Sequence, residues 1–153
     1  MTAAIEGPLL GQSSACMPIL RALPEWFGQE AGLLEYEKQI DGLPTFLASA
    51  DSRVIGFLSL KQHYPHSAEV YVMGVRPEAQ HSGIGRALVE QAETHAHSLG
   101  IEYLQVKTLG PSSPDPAYAK TRAFYDAMGF RPLEEFKQIW HKNNPCLILV
   151  KRL

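Results

Sequence analysis

The stretch Val75-Arg76-Pro77-Glu78-Ala79-Gln80-His81-Ser82-Gly83-Ile84-Gly85-Arg86-Ala87-Leu88 decides how the chain is read. Upstream of it, Ala68–Val75 alternates like a strand. Glu69, Tyr71, Met73 and Val75 share one face, and Ala68, Val70, Val72 and Gly74 share the other. Downstream, Gly83–Leu99 carries Ile84, Leu88, Ala92, Ala96 and Leu99 at a helical period and stops at Gly100. A strand therefore passes through a short polar loop into a long amphipathic helix. The first turn of such a helix has backbone N–H groups without internal partners and a dipole end of about half a positive charge. Gly83 and Gly85 remove side chains that would hold an anion away from those groups, so a diphosphate is a fitting guest. A helix start that merely tolerates glycine is the competing reading. A dinucleotide fingerprint would need a third glycine where Leu88 stands, and no lysine followed by Ser or Thr closes the loop as a nucleotide P-loop requires.

Working outward, Met17–Phe27 and Glu30–Ile40 read as short helices, the first interrupted by Pro18 and Pro24. Thr45–Ala50 and Arg53–Leu60 are apolar runs around the turn chemistry of Ala50-Asp51-Ser52-Arg53, which predicts a hairpin. Ile101–Leu109 reads as a strand and Gly110–Pro116 as loop. Ala117–Met128 reads as a helix stopped at Gly129, with Phe130–Trp140 and Cys146–Lys151 as the last two strands. The first 15 residues are the least legible, a short strand or a loose arm. The order predicts one mixed α/β domain over residues 1–153.

Composition removes several classes. With 153 residues, 45% hydrophobic and 20% charged, the chain is long enough for a core and is not of disordered type. A net charge of −2 gives no footprint for nucleic acid. No basic residue precedes Arg21, and Glu6, Gly7 and Pro8 break the opening segment, so no secretory signal and no membrane span are expected. Cys16 and Cys146 form no C-x-x-C pair, which predicts free thiols and a cytoplasmic setting. His63-x-x-His66 has metal-like spacing without an evident third ligand, so no metal is expected.

Val75-x-Pro77 with Gln80-x-x-Gly83-x-Gly85 resembles the coenzyme A pyrophosphate motif of the GNAT superfamily of N-acetyltransferases. Phe124-Tyr125-x-x-x-Gly129-Phe130 resembles that family's second signature, in the expected order. The resemblance runs from about Thr45 to the C-terminus. It implies a mostly antiparallel mixed sheet with flanking helices and splayed central strands, and acetyl-CoA as cofactor. It further implies that Met73, Gly74 and Val75 pair through their backbone with the pantetheine arm, Gly74 marking a bulge. Gln80, His81, Ser82, Gly83, Ile84, Gly85 and Arg86 then hold the diphosphate. One departure is Tyr118, where the family often has a cofactor-contacting asparagine; Tyr118 is expected to border the cofactor instead. Thr121 replaces a usual alanine.

An alkylamine with a pKa near 10.4 costs about 4.6 kcal/mol to neutralise at pH 7, whereas a thiolate leaving group near 8.5 needs about 2 kcal/mol of protonation. The base is therefore the harder requirement. Glu69 is the only acid on its strand and the first candidate, with His63 and His66 as alternatives. The competing reading is that Glu69 solvates an exposed strand start. By resemblance the Tyr125 hydroxyl protonates the departing thiolate; a plain core tyrosine is the alternative. With no cysteine near a motif, direct transfer in a ternary complex is expected rather than an enzyme-bound acyl group. Trp26, Phe27, Glu30 and Tyr36 on one side, with His141 and Asn143 on the other, are the acceptor-site candidates that the resemblance nominates. Trp26 and Phe27 also read as core residues. No acidic tract suggests a basic peptide, which leans towards a small-molecule primary amine. A non-catalytic acetyl-CoA sensor and a protein-acetylating enzyme are the alternatives, and the apolar last strand suggests a possible homodimer.

Overall fold

A computed structural model describes residues 3–141 and 144–153. Among these, the elements follow as β1 (Ala4–Leu9), α1 (Ser13–Arg21), α2 (Glu30–Ile40), β2 (Thr45–Ala50), β3 (Arg53–Tyr64) and β4 (Ser67–Val75). After a 3-10 turn at Pro77–Ala79 come α3 (Ile84–Ser98), β5 (Tyr103–Leu109), α4 (Pro116–Ala127), β6 (Arg131–His141) and β7 (Asn144–Arg152). The strands form one sheet in the order β1-β2-β3-β4-β5-β7-β6. Every neighbouring pair is antiparallel except β4 and β5, which run parallel. This is the mixed, mostly antiparallel sheet that the sequence predicts.

Helices cover both faces. Cys16, Ile19 and Leu20 of α1 and Leu33 and Ile40 of α2 pack with Leu47, Phe57 and Val72. Ile84, Leu88, Val89, Ala92 and Ala96 of α3, with Tyr125 of α4 and Met128 just after it, pack on the other face against Phe46, Leu58, Val70 and Leu104. Each fully buried aliphatic side chain of this kind contributes about 1.5–3 kcal/mol relative to exposure. Asp51 and Ser52 both have positive φ, 52° and 63°, as the tight turn between β2 and β3 requires.

One reading that the sequence left open is resolved, and others need correction. The first strand, β1, pairs with β2 and adds an edge to the sheet. Helix α1 ends at Arg21, because Pro24 cannot continue it, so Trp26 and Phe27 lie in the following turn. The alternation of β4 is broken: Ser59 pairs with Val72 but Leu60 with Val70, leaving Tyr71 as the extra residue of a bulge. Met73 and Val75 thereby join Ala68 and Val70 on the α3 side, while Val72 turns to the α1 side. The bulge is at Tyr71 and not at Gly74. Gly74 instead permits close packing, since a Cβ there would lie 3.1 Å from Leu23 Cδ1 and 3.2 Å from Ile19 Cγ2. Lastly, β7 is paired on both sides, by β5 and β6, so it offers no edge to a second copy.

Candidate active site

Strands β4 and β5 pair over only three rungs, Ser67 with Tyr103, Ala68 with Leu104 and Glu69 with Gln105. Beyond Glu69 the strands separate: β4 bends through its bulge while β5 stays in register with β7 as far as Leu109 and Cys146. A cleft of about 1210 Å³ fills the opening and passes through the sheet, from the start of α3 on one face to α2 on the other. Backbone groups along both diverging edges therefore face the cleft, and a ligand lying there meets a ready set of donors and acceptors.

At the α3 end, Gly83 is the residue before the helix, with φ of 85° and no side-chain cap on the first turn. A Cβ added to Gly83 would meet nothing within 4 Å, so the uncapped amides open onto free space. An anionic group fits there on both charge and room. The loop is held from behind by Gln80 Nε2, which donates to the Val75 carbonyl at 3.1 Å, and by the Ser82 hydroxyl donating to the Ala79 carbonyl. Gln80, His81, Gly83, Gly85 and Arg86 line the cleft. The Ile84 side chain is in the core, and Ser82 and Ile84 can offer only backbone to it. Gly85 serves a second purpose: its Cβ would lie 3.2 Å from the Phe124 ring, so the glycine lets α3 and α4 approach.

In the middle of the cleft stand Tyr125 and Glu69, both lining it and both buried. Burial, with Tyr36 beside it, raises the Tyr125 hydroxyl well above the ordinary phenol range, so it stays protonated at neutral pH. Glu69 is 4% exposed and does not solvate a strand end. Its Oε1 lies 2.7 Å from His63 Nε2 and 3.7 Å from Lys107 Nζ. Buried carboxylates need such partners. Among the described residues, the one side-chain polar atom both sealed and unpartnered is Thr108 Oγ1. The Tyr125 hydroxyl and Glu69 Oε2 are not sealed in this way, and both residues line the cleft.

On the α2 face, Phe27, Tyr36 and Tyr71 form an edge-to-face row with ring centroids 5.6 Å apart at each step. Trp26, Phe27 and Tyr36 line the cleft as the sequence reading expects. Trp26 is also a strap: its Nε1 donates to Thr121 Oγ1 at 2.9 Å, and the Tyr118 hydroxyl donates to its carbonyl at 2.9 Å. Tyr118 lines the cleft with its hydroxyl already committed, and burial pushes that hydroxyl up to about 12. Glu30 does not line the cleft. It is exposed and forms a two-bonded ion pair with Arg21, 2.9 and 3.0 Å, which joins α2 to the end of α1. Asn143 lies outside the described residues, and His141 ends β6.

The sequence reading misses Glu35, Tyr71, Lys107, Lys120, Phe124 and Trp140, all of which line the cleft. Glu35 and Tyr71 were within reach of it, being adjacent to Tyr36 and two residues from Glu69. Lys107 and Trp140 carry no local signal, since only strand order brings them here.

The family model for the acetyltransferase (GNAT) family matches residues 15–130. The chain is 30% identical over 105 residues to the mycothiol acetyltransferase of Thermomonospora curvata, covering 69% of this chain and 33% of that protein. It is 34% identical over 95 residues to the mycothiol acetyltransferase of Actinosynnema mirum, covering 62% and 28%. The chain thus spans about a third of the length of these relatives. In fold it is similar to the PaiA N-acetyltransferase of Thermoplasma acidophilum in complex with coenzyme A, with TM-score 0.77, 18% identity and complete coverage of both chains, 100% each. The GNAT family acetyltransferase of Elizabethkingia anophelis with acetyl-CoA bound gives TM-score 0.73, 18% identity and coverage of 99% and 98%.

Proposed function

Because the chain belongs to the acetyltransferase (GNAT) family, which its match over residues 15–130 establishes, we propose that it moves an acetyl group from acetyl-CoA to the primary amine of a small molecule, directly in a ternary complex. The observation that carries this reading is the through-going cleft. One end is an uncapped helix start suited to a diphosphate, the middle holds a buried carboxylate, and the other end carries a row of aromatic side chains. Acetyl-CoA supplies the activated acyl group.

The chain's own residues divide the remaining work. Backbone amides from Gly83 to Arg86 hold the diphosphate, with Arg86 and Lys120 adding positive charge along the cleft. Backbone groups of Met73, Gly74 and Val75 on the diverging edge of β4 hold the pantetheine arm, and an N–H there stabilises the oxyanion. Glu69 takes the proton from the acceptor ammonium through its free oxygen, and Tyr125 gives its proton to the departing thiolate. Cys16 and Cys146 are buried and neither lines the cleft, which supports direct transfer without an acyl-cysteine.

Acceptor binding falls to Phe27, Tyr36 and Tyr71 with Glu35 and Glu69. Aromatic rings beside carboxylates favour a cation with an apolar neighbour. Relatives named for mycothiol support a small molecule over a protein tail. The test is thiol release from acetyl-CoA across a panel of small amines and N-terminal peptides, with acetyl-CoA titration alongside. Turnover with small amines is expected. Tight binding with no release from any amine would make the chain a sensor, and release with peptides alone would make it a protein-acetylating enzyme.

A further inference from the structure

Acetylation of a cationic amine releases a proton that the site must discharge. The acceptor enters as R–NH3⁺ and leaves as a neutral amide, losing two protons from nitrogen as the C–N bond forms. The breaking C–S bond leaves a thiolate that takes up one proton. One proton therefore goes to solvent in each turnover. Tyr125 balances the thiolate: it gives its proton to sulfur and recovers one from the nitrogen. The other nitrogen proton arrives on Glu69.

Glu69 has no direct way out. It is 4% exposed, and it stands at the apex where β4 and β5 last pair, on the wall of the cleft that an acceptor would fill. Its Oε1 meets two groups. Lys107, 3.7 Å away, is an ammonium with donors only and cannot accept a proton. His63, 2.7 Å away, can, and its side chain is 30% exposed. His63 is not part of the cleft lining; it lies behind Glu69 towards solvent.

The backbone arranges this contact. Gln62 pairs with Ala68 and Tyr64 with Ser67, so His63 is the extra residue of a bulge in β3. Bulges re-aim a side chain, and this one sits directly across from the strand segment bearing Glu69. The remaining charged or titratable neighbours point elsewhere or donate. Tyr36 and Tyr71 face Glu69 from the cleft, Glu35 faces Tyr71, Lys61 lies over the Tyr71 ring at 5.3 Å, and the Cys146 thiol lies beyond Lys107.

We propose that His63 is the proton exit for Glu69: a positioning residue that holds the carboxylate through Nε2 and passes its proton to solvent after each acetyl transfer. This rests on the reading of Glu69 as the base.

His63→Gln keeps an N–H donor for Glu69 but cannot carry a proton, and His63→Ala leaves room for a small base. Both are compared with wild type and Glu69→Gln by thermal unfolding, acetyl-CoA titration and steady-state kinetics at rising imidazole concentration. The expected result is a fall in kcat of at least roughly tenfold in both His63 variants. KM and acetyl-CoA affinity should stay within about twofold. Imidazole should restore kcat in His63→Ala and leave wild type unchanged. A purely structural role would not be rescued by a soluble base. If Glu69→Gln is impaired while both His63 variants turn over at the wild-type rate, or if imidazole restores nothing to an impaired His63→Ala, the exit is overturned and the base reading stands. If Glu69→Gln keeps full kcat, the base reading itself falls.

Discussion

Glu69 stands opposite Gln105 on the last rung at which β4 and β5 pair, and the cleft begins where that pairing ends. The carboxylate is thus fixed by sheet on one side and open to ligand on the other. Glu69→Gln preserves shape and one hydrogen-bonding face but removes the base. It should lower kcat by roughly 10² or more while leaving acetyl-CoA affinity unchanged. Steady-state kinetics beside calorimetric titration checks both halves.

Tyr125 shares the cleft with Glu69, and its ring packs edge-to-face with Phe124 and Phe130 at 5.2 and 5.5 Å. Tyr125→Phe keeps that packing and removes only the hydroxyl. Turnover should fall roughly 10²-fold with little change in thermal stability or cofactor affinity. Wild-type turnover in this variant under saturating substrates would leave Tyr125 a core residue alone.

Gly83 has φ of 85° with open space around the missing Cβ. Gly83→Ala should therefore cost about 1 kcal/mol through backbone conformation rather than collision, and Gly83→Asn less, because asparagine tolerates this region. Thermal melts of the two variants give the order. Acetyl-CoA affinity should fall further in both than the stability loss implies, as each adds a side chain over the uncapped amides.

The Trp26 strap predicts a separation of effects. Thr121→Val removes the acceptor of the 2.9 Å bond from Trp26 Nε1. Leaving that donor unmet should cost about 1 kcal/mol. Because the strap lines the cleft next to Phe27 and Tyr36, KM for the amine should rise while acetyl-CoA affinity holds. Parallel titrations of the two substrates test this.

Alkaline pH should destabilise the fold in two stages. Burial raises the Cys16 thiol from 9.0 to about 12, and the Tyr71 and Tyr118 hydroxyls from 10.0 to about 12. A group whose folded pKa lies above its unfolded value contributes fully below the unfolded value and less as pH rises towards the folded one. Stability should therefore begin to decline above pH 9, through Cys16, and steepen above pH 10 as the tyrosines join. Denaturant midpoints measured from pH 7 to 12 check the sign, and Cys16→Ala should weaken the first stage, which the Cys146 thiol, also raised by burial, shares.

Local pattern made most of the architecture legible. Glu30–Ile40 and Thr45–Ala50 match α2 and β2 at both ends, the first from one apolar face and the second from a short apolar run buried on both faces. Strand β1 was obscure, since Gly7 and Pro8 interrupt its alternation and an edge strand needs little apolar content. The bulges at Tyr71 and His63 leave no mark in composition, because they exist only in the register between strands. That is why alternation alone puts Met73 on the wrong face and does not reveal the contact between His63 and Glu69. Glu30 is similar: the sequence places its helix, but not its ion pair with Arg21, nine residues earlier in the chain. Motif residues were legible because loop chemistry is local, whereas Lys107 and Trp140 reach the cleft through strand order alone.

The most direct measurement is a crystal structure with coenzyme A bound. The diphosphate should lie about 3 Å from backbone nitrogens between Gly83 and Arg86, with the pantetheine arm running between β4 and β5 towards Glu69 and Tyr125. A diphosphate bound elsewhere, with the start of α3 bare, would contradict the account.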